Sequence, residues 1–159
     1  MHLFGTAALV LVALIIFPGL AALPAQAGTD GATQFIPLSE VLNGPQDNAS
    51  NAYVTERCAA LYGVLGHNYA DDTEHPQLQQ MGGVFLKRAE FLIDLAFDFN
   101  SVGMTPKKSA KSYVDTTKYI LDLGKIYADR IYQARLRSAN AFNDPLLASD
   151  WSICNHQWR

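Results

Sequence analysis

Apolar residues recur at three- and four-residue steps along most of the chain, a pattern typical of amphipathic helices. Leu38 to Leu42 is predicted to form a helical turn, which Asn43-Gly44-Pro45 ends. The first long helix is predicted over about residues 49 to 69, and Asp47 or Asn48 can cap it by accepting a backbone hydrogen bond. One side of this helix carries its apolar residues: Tyr53, Val54, Cys58, Leu61, Tyr62, Val64 and Leu65.

Two further long helices are each predicted to open with a proline, whose missing N–H has no intrahelical partner at the first helical position. Pro76 opens a helix to about residue 99 that is apolar around most of its circumference, so we expect it to pack on more than one side. Thr105-Pro106 opens a third helix that reaches residue 139 or 142. Its predicted inner stripe consists of Tyr113, Val114, Ile120, Leu121, Tyr127, Ile131 and Tyr132.

The last element is a short terminal helix, because Asn143-Asp144-Pro145 repeats the signal of a cap followed by a proline. No alternating strand pattern competes with these helices. The sequence therefore predicts an all-α fold, an antiparallel bundle of three long helices plus a short C-terminal helix. Residues 49–159 are assigned to this bundle domain, and residues 28–48 to an N-terminal tail with a short turn.

Residues 1–27 differ from the rest of the chain, since they contain no Lys, Arg, Asp or Glu. The apolar run Leu3 to Phe17, the break at Pro18-Gly19 and the triplet Ala25-Gln26-Ala27 predict a signal peptide that is cleaved after residue 27. The alternative is an uncleaved anchor, because Leu3 to Leu23 is nearly long enough to span a bilayer. We expect a periplasmic or secreted protein with no permanent membrane span after cleavage.

Charge and cysteine content narrow the function classes. The net charge is −3, from 12 basic and 15 acidic residues, so the chain has no basic excess to attract nucleic acid. Two cysteines are too few for a cysteine-rich zinc site or a disulfide-dense miniprotein. In an oxidising compartment a thiol pair is normally a disulfide. Cys58 and Cys154 are therefore predicted to bridge and to tie the terminal helix back to the bundle.

The densest polar cluster lies between the first two long helices and includes His67, Asp71, Asp72 and His75. Imidazole and carboxylate groups suit zinc, copper or nickel, so one hypothesis is a bound transition metal. The alternative is a polar loop whose acidic residues favour the positive end of the following helix. With that alternative no cofactor is expected.

Three arginines, Arg57, Arg88 and Arg135, fall within the apolar arcs of their own helices without an evident carboxylate partner. A buried unpaired guanidinium is costly, so each needs a carboxylate, helix-end carbonyl groups, water, a route to the bundle edge, or a bound anion. One hypothesis is a pocket for a small anionic ligand, to which Asn68 could add hydrogen bonds. The alternative is that the stems pack in the core while the charged heads reach the bundle ends.

No nucleophile-elbow, phosphate-loop, dinucleotide or metalloprotease motif occurs in the sequence. We therefore favour an exported, non-enzymatic helical binding or interaction protein, whose partner is an unknown protein or a small anionic ligand in the cell envelope. The alternatives are a metal-binding periplasmic protein that uses the His67 to His75 loop, and a small enzyme with a composite site.

The segment Glu56-Arg57-Cys58-Ala59-Ala60-Leu61-Tyr62, with a second cysteine beside a tryptophan near the carboxyl end, carries one resemblance. It is similar to a pattern in short uncharacterised secreted bacterial helical proteins. The resemblance implies a bacterial periplasmic helical protein with a paired cysteine, and it implies no activity.

Overall fold

The computed structural model describes residues 35–138 and 140–158, apart from the side chains of residues 107, 110 and 111. The predicted leader, residues 1–27, lies outside the described residues. The described part is helical and contains no strand, which confirms the all-α prediction. Its helices are α1 (Leu38–Leu42), α2 (Asn48–Ala70), α3 (Pro76–Ser101), α4 (Pro106–Arg137) and α5 (Pro145–Gln157), with a 3-10 turn at Ala141–Asn143. None of these described helices has the length and apolar character needed to cross a membrane.

The helix boundaries follow the caps and prolines predicted from the sequence. The Asp47 carboxylate accepts a hydrogen bond from the Ser50 N–H at 2.8 Å and caps α2. The Asp144 carboxylate caps α5 by accepting from two backbone N–H groups of its first turn. Prolines occupy the predicted first positions of α3, α4 and α5. Helix α4 ends at Arg137, before the predicted residue 139, because Ser138 adopts an extended conformation.

Helices α2 and α3 approach closely at Gly82. A β-carbon at this position would lie 2.4 Å from the backbone nitrogen of Ala70 on α2, a distance that no side chain can occupy. Glycine therefore brings the two backbones together here, and α3 continues without interruption through the Gly82-Gly83 pair.

The predicted inner face of α4 needs correction. Helix α3 contacts both α2 and α4, although its fully buried residues form a single stripe from Gly82 to Ala96 and Phe91 is exposed. In α4 three predicted stripe residues, Ile120, Tyr127 and Ile131, are buried. The remaining members are exposed: Tyr113, Val114, Leu121 and Tyr132. The buried stripe of α4 is narrower than predicted because the core covers only one side of the helix.

The disulfide between Cys58 and Cys154 is present, as predicted, with the two Cα atoms 5.4 Å apart. It joins the middle of α2 to the end of α5 across a sequence separation of 96 residues. A bridge across a loop of this length restricts the unfolded chain by at most about 4.7 kcal/mol. The terminal helix is thereby fixed against the bundle.

Candidate functional site

Arg57 is enclosed in the core, where its anionic partner is part of the chain. The side chains of Arg57 and Asp150 both have 0% exposure, and the Arg57 Nη2 donates to the Asp150 Oδ2. Arg57 Nε donates to the Tyr127 hydroxyl at 2.7 Å, and the same hydroxyl donates to Asp150 at 2.6 Å. Arg57 Nη1 donates to the Ile36 carbonyl and the Tyr53 hydroxyl, each at 2.9 Å.

Two further contacts complete this Arg57–Asp150 cluster. The Phe35 ring centroid lies 3.6 Å from the guanidinium carbon, and the Leu38 N–H donates to the Asp150 Oδ1 at 3.0 Å. Burial lowers the pKa of Arg57, but Tyr127 and Asp150 more than offset this effect, so its pKa lies above the ordinary value. Burial also raises the pKa of Tyr127, which keeps the hydroxyl protonated. The guanidinium charge of Arg57 is therefore neutralised within the chain by the Asp150 carboxylate.

The other residues of the predicted anion pocket lie elsewhere. Arg88 is half-buried beside the Tyr62 ring and lines a separate surface cavity with Lys87 and Trp158. Arg135 is exposed. Asn68 is also exposed, and its amide donates to the Val64 carbonyl of its own helix. Because Arg57 has no accessible surface, the structure does not bring the three guanidinium groups to one pocket.

The predicted metal ligands lie near the end of α2 and the start of α3. Asp72 and His75 are in contact, with the carboxylate Oδ1 3.0 Å from the imidazole Nδ1. This contact lowers the pKa of Asp72. Within the described ranges, no group of three or more His, Cys, Asp or Glu side chains is placed to hold a metal ion. The metal site stays a prediction.

An apolar groove of about 540 Å³ lies between α2, α3 and α4. Helices α3 and α4 touch near their connection, where the Phe97 and Tyr113 ring centroids are 5.2 Å apart. The groove lies farther from that connection and is lined mainly by small and aliphatic residues: Ala59, Ala60, Gly63, Val64, Leu86, Ala89, Ile93, Ile120, Leu121, Gly124 and Ala128. We call it the α2–α4 groove. The groove is present because the residues that face one another on the three helices have small side chains, which leave space between the helices.

Three exposed polar side chains also line the α2–α4 groove, one from each helix: His67, Glu90 and Lys125. The Lys125 ammonium lies 2.7 Å from the Asp122 carboxylate outside the groove lining. The other lining residues are mostly hydrocarbon, an arrangement suited to covering an apolar surface of a ligand or partner.

Sequence reasoning missed both the α2–α4 groove and Asp150. At Gly63 on α2, a β-carbon would meet only the Ala89 β-carbon at 3.9 Å, so this glycine leaves space between the helices. Leu121 was assigned to the inner stripe, whereas its side chain is 63% exposed. Exposure and helix neighbours are known only from the fold, so helical periodicity alone did not indicate the groove.

Comparison with known proteins gives no match to a family model, a curated protein or a solved structure. The resemblance to short secreted bacterial proteins stays a prediction.

Proposed function

We propose that this chain is an exported, non-enzymatic interaction module that binds an amphipathic helix of a partner protein in the α2–α4 groove. The observation that carries the proposal is the groove itself, an apolar surface open to solvent and bounded by three helices. Exposed apolar patches of this kind mark interaction sites more often than chance, because they gain free energy when they are covered.

The dimensions of the groove suit a helix. Its lining residues on α4 run from Ile120 to Ala128, a rise of about 12 Å at 1.5 Å per residue. Apolar anchors at positions i, i+4 and i+7 of a partner helix span about 10.5 Å by the same rise. Alanine and glycine on α2 allow such anchors to reach close to the backbone. A partner helix would then pack between α3 and α4 as a further member of the bundle.

Charges beside the groove favour one orientation of that helix. Glu90 lies on the α3 side and Lys125 on the α4 side. A partner helix with basic residues along one edge of its apolar stripe and acidic residues along the other edge would match both. Such complementarity contributes mainly to specificity and association rate.

Export is supported by two features of different kinds. The disulfide between Cys58 and Cys154 is of the type that persists in oxidising compartments, and residues 1–27 have the sequence pattern of a cleavable leader. Protein purified from the producing cell should therefore have the intact mass of residues 28–159, with no free thiol. A retained initiator methionine or two free thiols would contradict export.

The same material tests binding. The probe is a labelled helical peptide of about 18 residues with leucines at i, i+4 and i+7, lysines along one edge and glutamates along the other. Fluorescence anisotropy should show saturable binding with a Kd below about 100 μM, and a peptide of equal composition with scattered leucines should bind at least tenfold more weakly.

A pair of glycine variants locates the site. Gly124→Leu fills the groove, because a β-carbon there already lies 3.6 Å from Val64 Cγ2, and it should weaken peptide binding at least tenfold. Gly83→Leu is the matched control, since it makes the same change within a helix at a position with no neighbouring atom within 4 Å. Absence of saturable binding, or equal binding by both variants, would refute the proposed function.

A further inference from the structure

Glu56 lies at a second cavity, which has no lining residue in common with the α2–α4 groove. This cavity has a volume of about 440 Å³, opens to solvent and lies between α2, the end of α3 and the first half of α4. The Glu56 residue is only 7% exposed, yet it lines the cavity. A carboxyl group in that position has lost most of its water and retains one route to solvent.

Hydrogen bonds hold the Glu56 side chain in place. The Asn100 Nδ2 donates to Glu56 Oε1 at 2.7 Å and to the Thr116 hydroxyl oxygen at 3.1 Å. Asn100 on α3 is thus fixed by residues of α2 and α4 at the same time. The second carboxylate oxygen, Glu56 Oε2, accepts no hydrogen bond from any side chain or backbone group that the structure describes. This oxygen is the unfilled acceptor of the site.

The charged groups around Glu56 leave its negative charge without an ionic partner. Three residues of α4 also line the cavity: Lys108, Asp115 and the neutral Tyr119. Among the described side chains, no basic group forms an ion pair with Glu56. Helix α3 contributes the neutral Asn100. On α2, the Tyr53 hydroxyl accepts a hydrogen bond from Arg57, and Arg57 is paired with Asp150. Burial raises the pKa of Glu56 to about 7, and the hydrogen bond from Asn100 opposes this rise.

We propose that the Glu56 cavity binds a small cationic amine, whose ammonium group donates a hydrogen bond to Glu56 Oε2. The ligand would supply the positive charge that the described residues do not. Met104 and Tyr119 line the cavity and provide apolar surface for the hydrocarbon part of the amine. The cavity volume falls in the range of small-molecule sites. This site is independent of the proposed helix-binding groove.

The test measures NMR amide shifts of the processed protein, residues 28–159, at pH 8. The cationic probe is benzylammonium, and benzyl alcohol is its neutral counterpart of similar shape. Benzylammonium should bind saturably with a Kd of about 1 mM or tighter, with shifts at Asn100 and Thr116. Benzyl alcohol should bind at least tenfold more weakly. Binding of benzylammonium should tighten between pH 6 and pH 8, as Glu56 ionises while the amine remains charged.

Two variants with the same change of charge complete the test. Glu56→Gln should weaken benzylammonium binding at least tenfold, whereas Glu40→Gln, at an exposed position on α1, should leave it unchanged. Equal affinity for the amine and the alcohol in the unmodified protein would overturn the proposal, and this result does not depend on the folding of any variant. Unchanged binding by folded Glu56→Gln, or no saturable shift, would overturn it as well.

Discussion

Glu56 and Arg57 are neighbours on α2, both charged and both buried, yet their surroundings differ completely. The Arg57 head is enclosed by residues of α2, α4, α5 and the segment before α1, and it contacts a carboxylate. Glu56, about 100° around the helix, meets a neutral amide and an open cavity. The difference shows that burial alone does not define the role of a charged residue. The partner that neutralises the charge, and its access to solvent, define that role.

A closed ion pair and an unpaired carboxyl group have opposite consequences for stability. Removing one member of the Arg57–Asp150 cluster leaves the other charge buried and uncompensated. Removing the charge of Glu56 eliminates a desolvation cost, because no opposite charge among the described residues compensates it. The two residues should therefore respond in opposite directions to substitution by neutral side chains.

The largest effect is expected for Asp150→Ala. This change leaves the Arg57 guanidinium without its carboxylate and the Leu38 N–H without its acceptor, so the free energy of unfolding should fall by about 3–5 kcal/mol. Urea unfolding measures this decrease in the free energy of unfolding. The double variant Arg57→Met with Asp150→Leu removes both charges and should recover most of the loss. A decrease below about 1 kcal/mol in the single variant would contradict the ion pair as the organising contact of the core.

The second effect depends on pH. Because the pKa of Glu56 is raised from 4.5 to about 7 in the folded state, its stabilising contribution is complete below pH 4.5 and is lost as the pH rises to about 7. Glu56→Gln does not undergo this loss. The variant should be about 3 kcal/mol more stable than the unmodified protein at pH 8 and nearly equal to it at pH 4.

Urea unfolding of both proteins across this pH range checks the difference, and Glu40→Gln provides the control. Glu40 is exposed, so its substitution should change the free energy of unfolding by less than about 0.5 kcal/mol. A Glu56→Gln variant whose relative stability is the same at pH 4 and pH 8 would show that Glu56 keeps an ordinary pKa.

The smallest effect comes from two tyrosines of α4. Tyr127→Phe deprives Arg57 Nε of its acceptor and Asp150 of a donor, and should cost about 1–3 kcal/mol. Tyr119→Phe removes a hydroxyl that makes no hydrogen bond to any described residue, and should cost less than about 0.5 kcal/mol. Thermal unfolding of the pair measures the contrast. Equal losses would contradict a net stabilising contribution from the hydrogen bonds of the Tyr127 hydroxyl.

Sequence features that act on nearby backbone groups predicted the helices well. They could not predict which residues far apart in sequence contact each other. Prolines at first helical positions and the caps Asp47 and Asp144 located the helices, because these residues act on backbone groups close to them in sequence. The disulfide was predicted because the leader indicated an oxidising compartment, where a thiol pair is normally bonded, and because the chain has only two cysteines. Asp150 was not identified as the partner of Arg57, since 93 residues separate them and the many carboxylates of the chain are equivalent in sequence.

The candidate sites were harder to predict for a related reason. A groove is space left between helices, and its position depends on which small residues happen to face one another across three elements. Gly63 and Gly124 belong to different helices and have no pattern in common in the sequence. The Glu56 cavity depends on Asn100, at the end of α3, reaching residues of two other helices. Helical periodicity describes one helix at a time. It therefore predicts neither the facing glycines of the groove nor the contacts of Asn100 with two other helices.

The placement of Asp150 and Cys154 in the last helix has a consequence for biosynthesis. A nascent chain that has emerged only as far as α4 carries Arg57 without its counter-charge and Cys58 without its bonding partner. Neither the buried ion pair nor the disulfide can therefore form before α5 has been synthesised, although α2, α3 and α4 are complete by then. The last helix thus supplies both the counter-charge and the covalent bond that α2 lacks until that point.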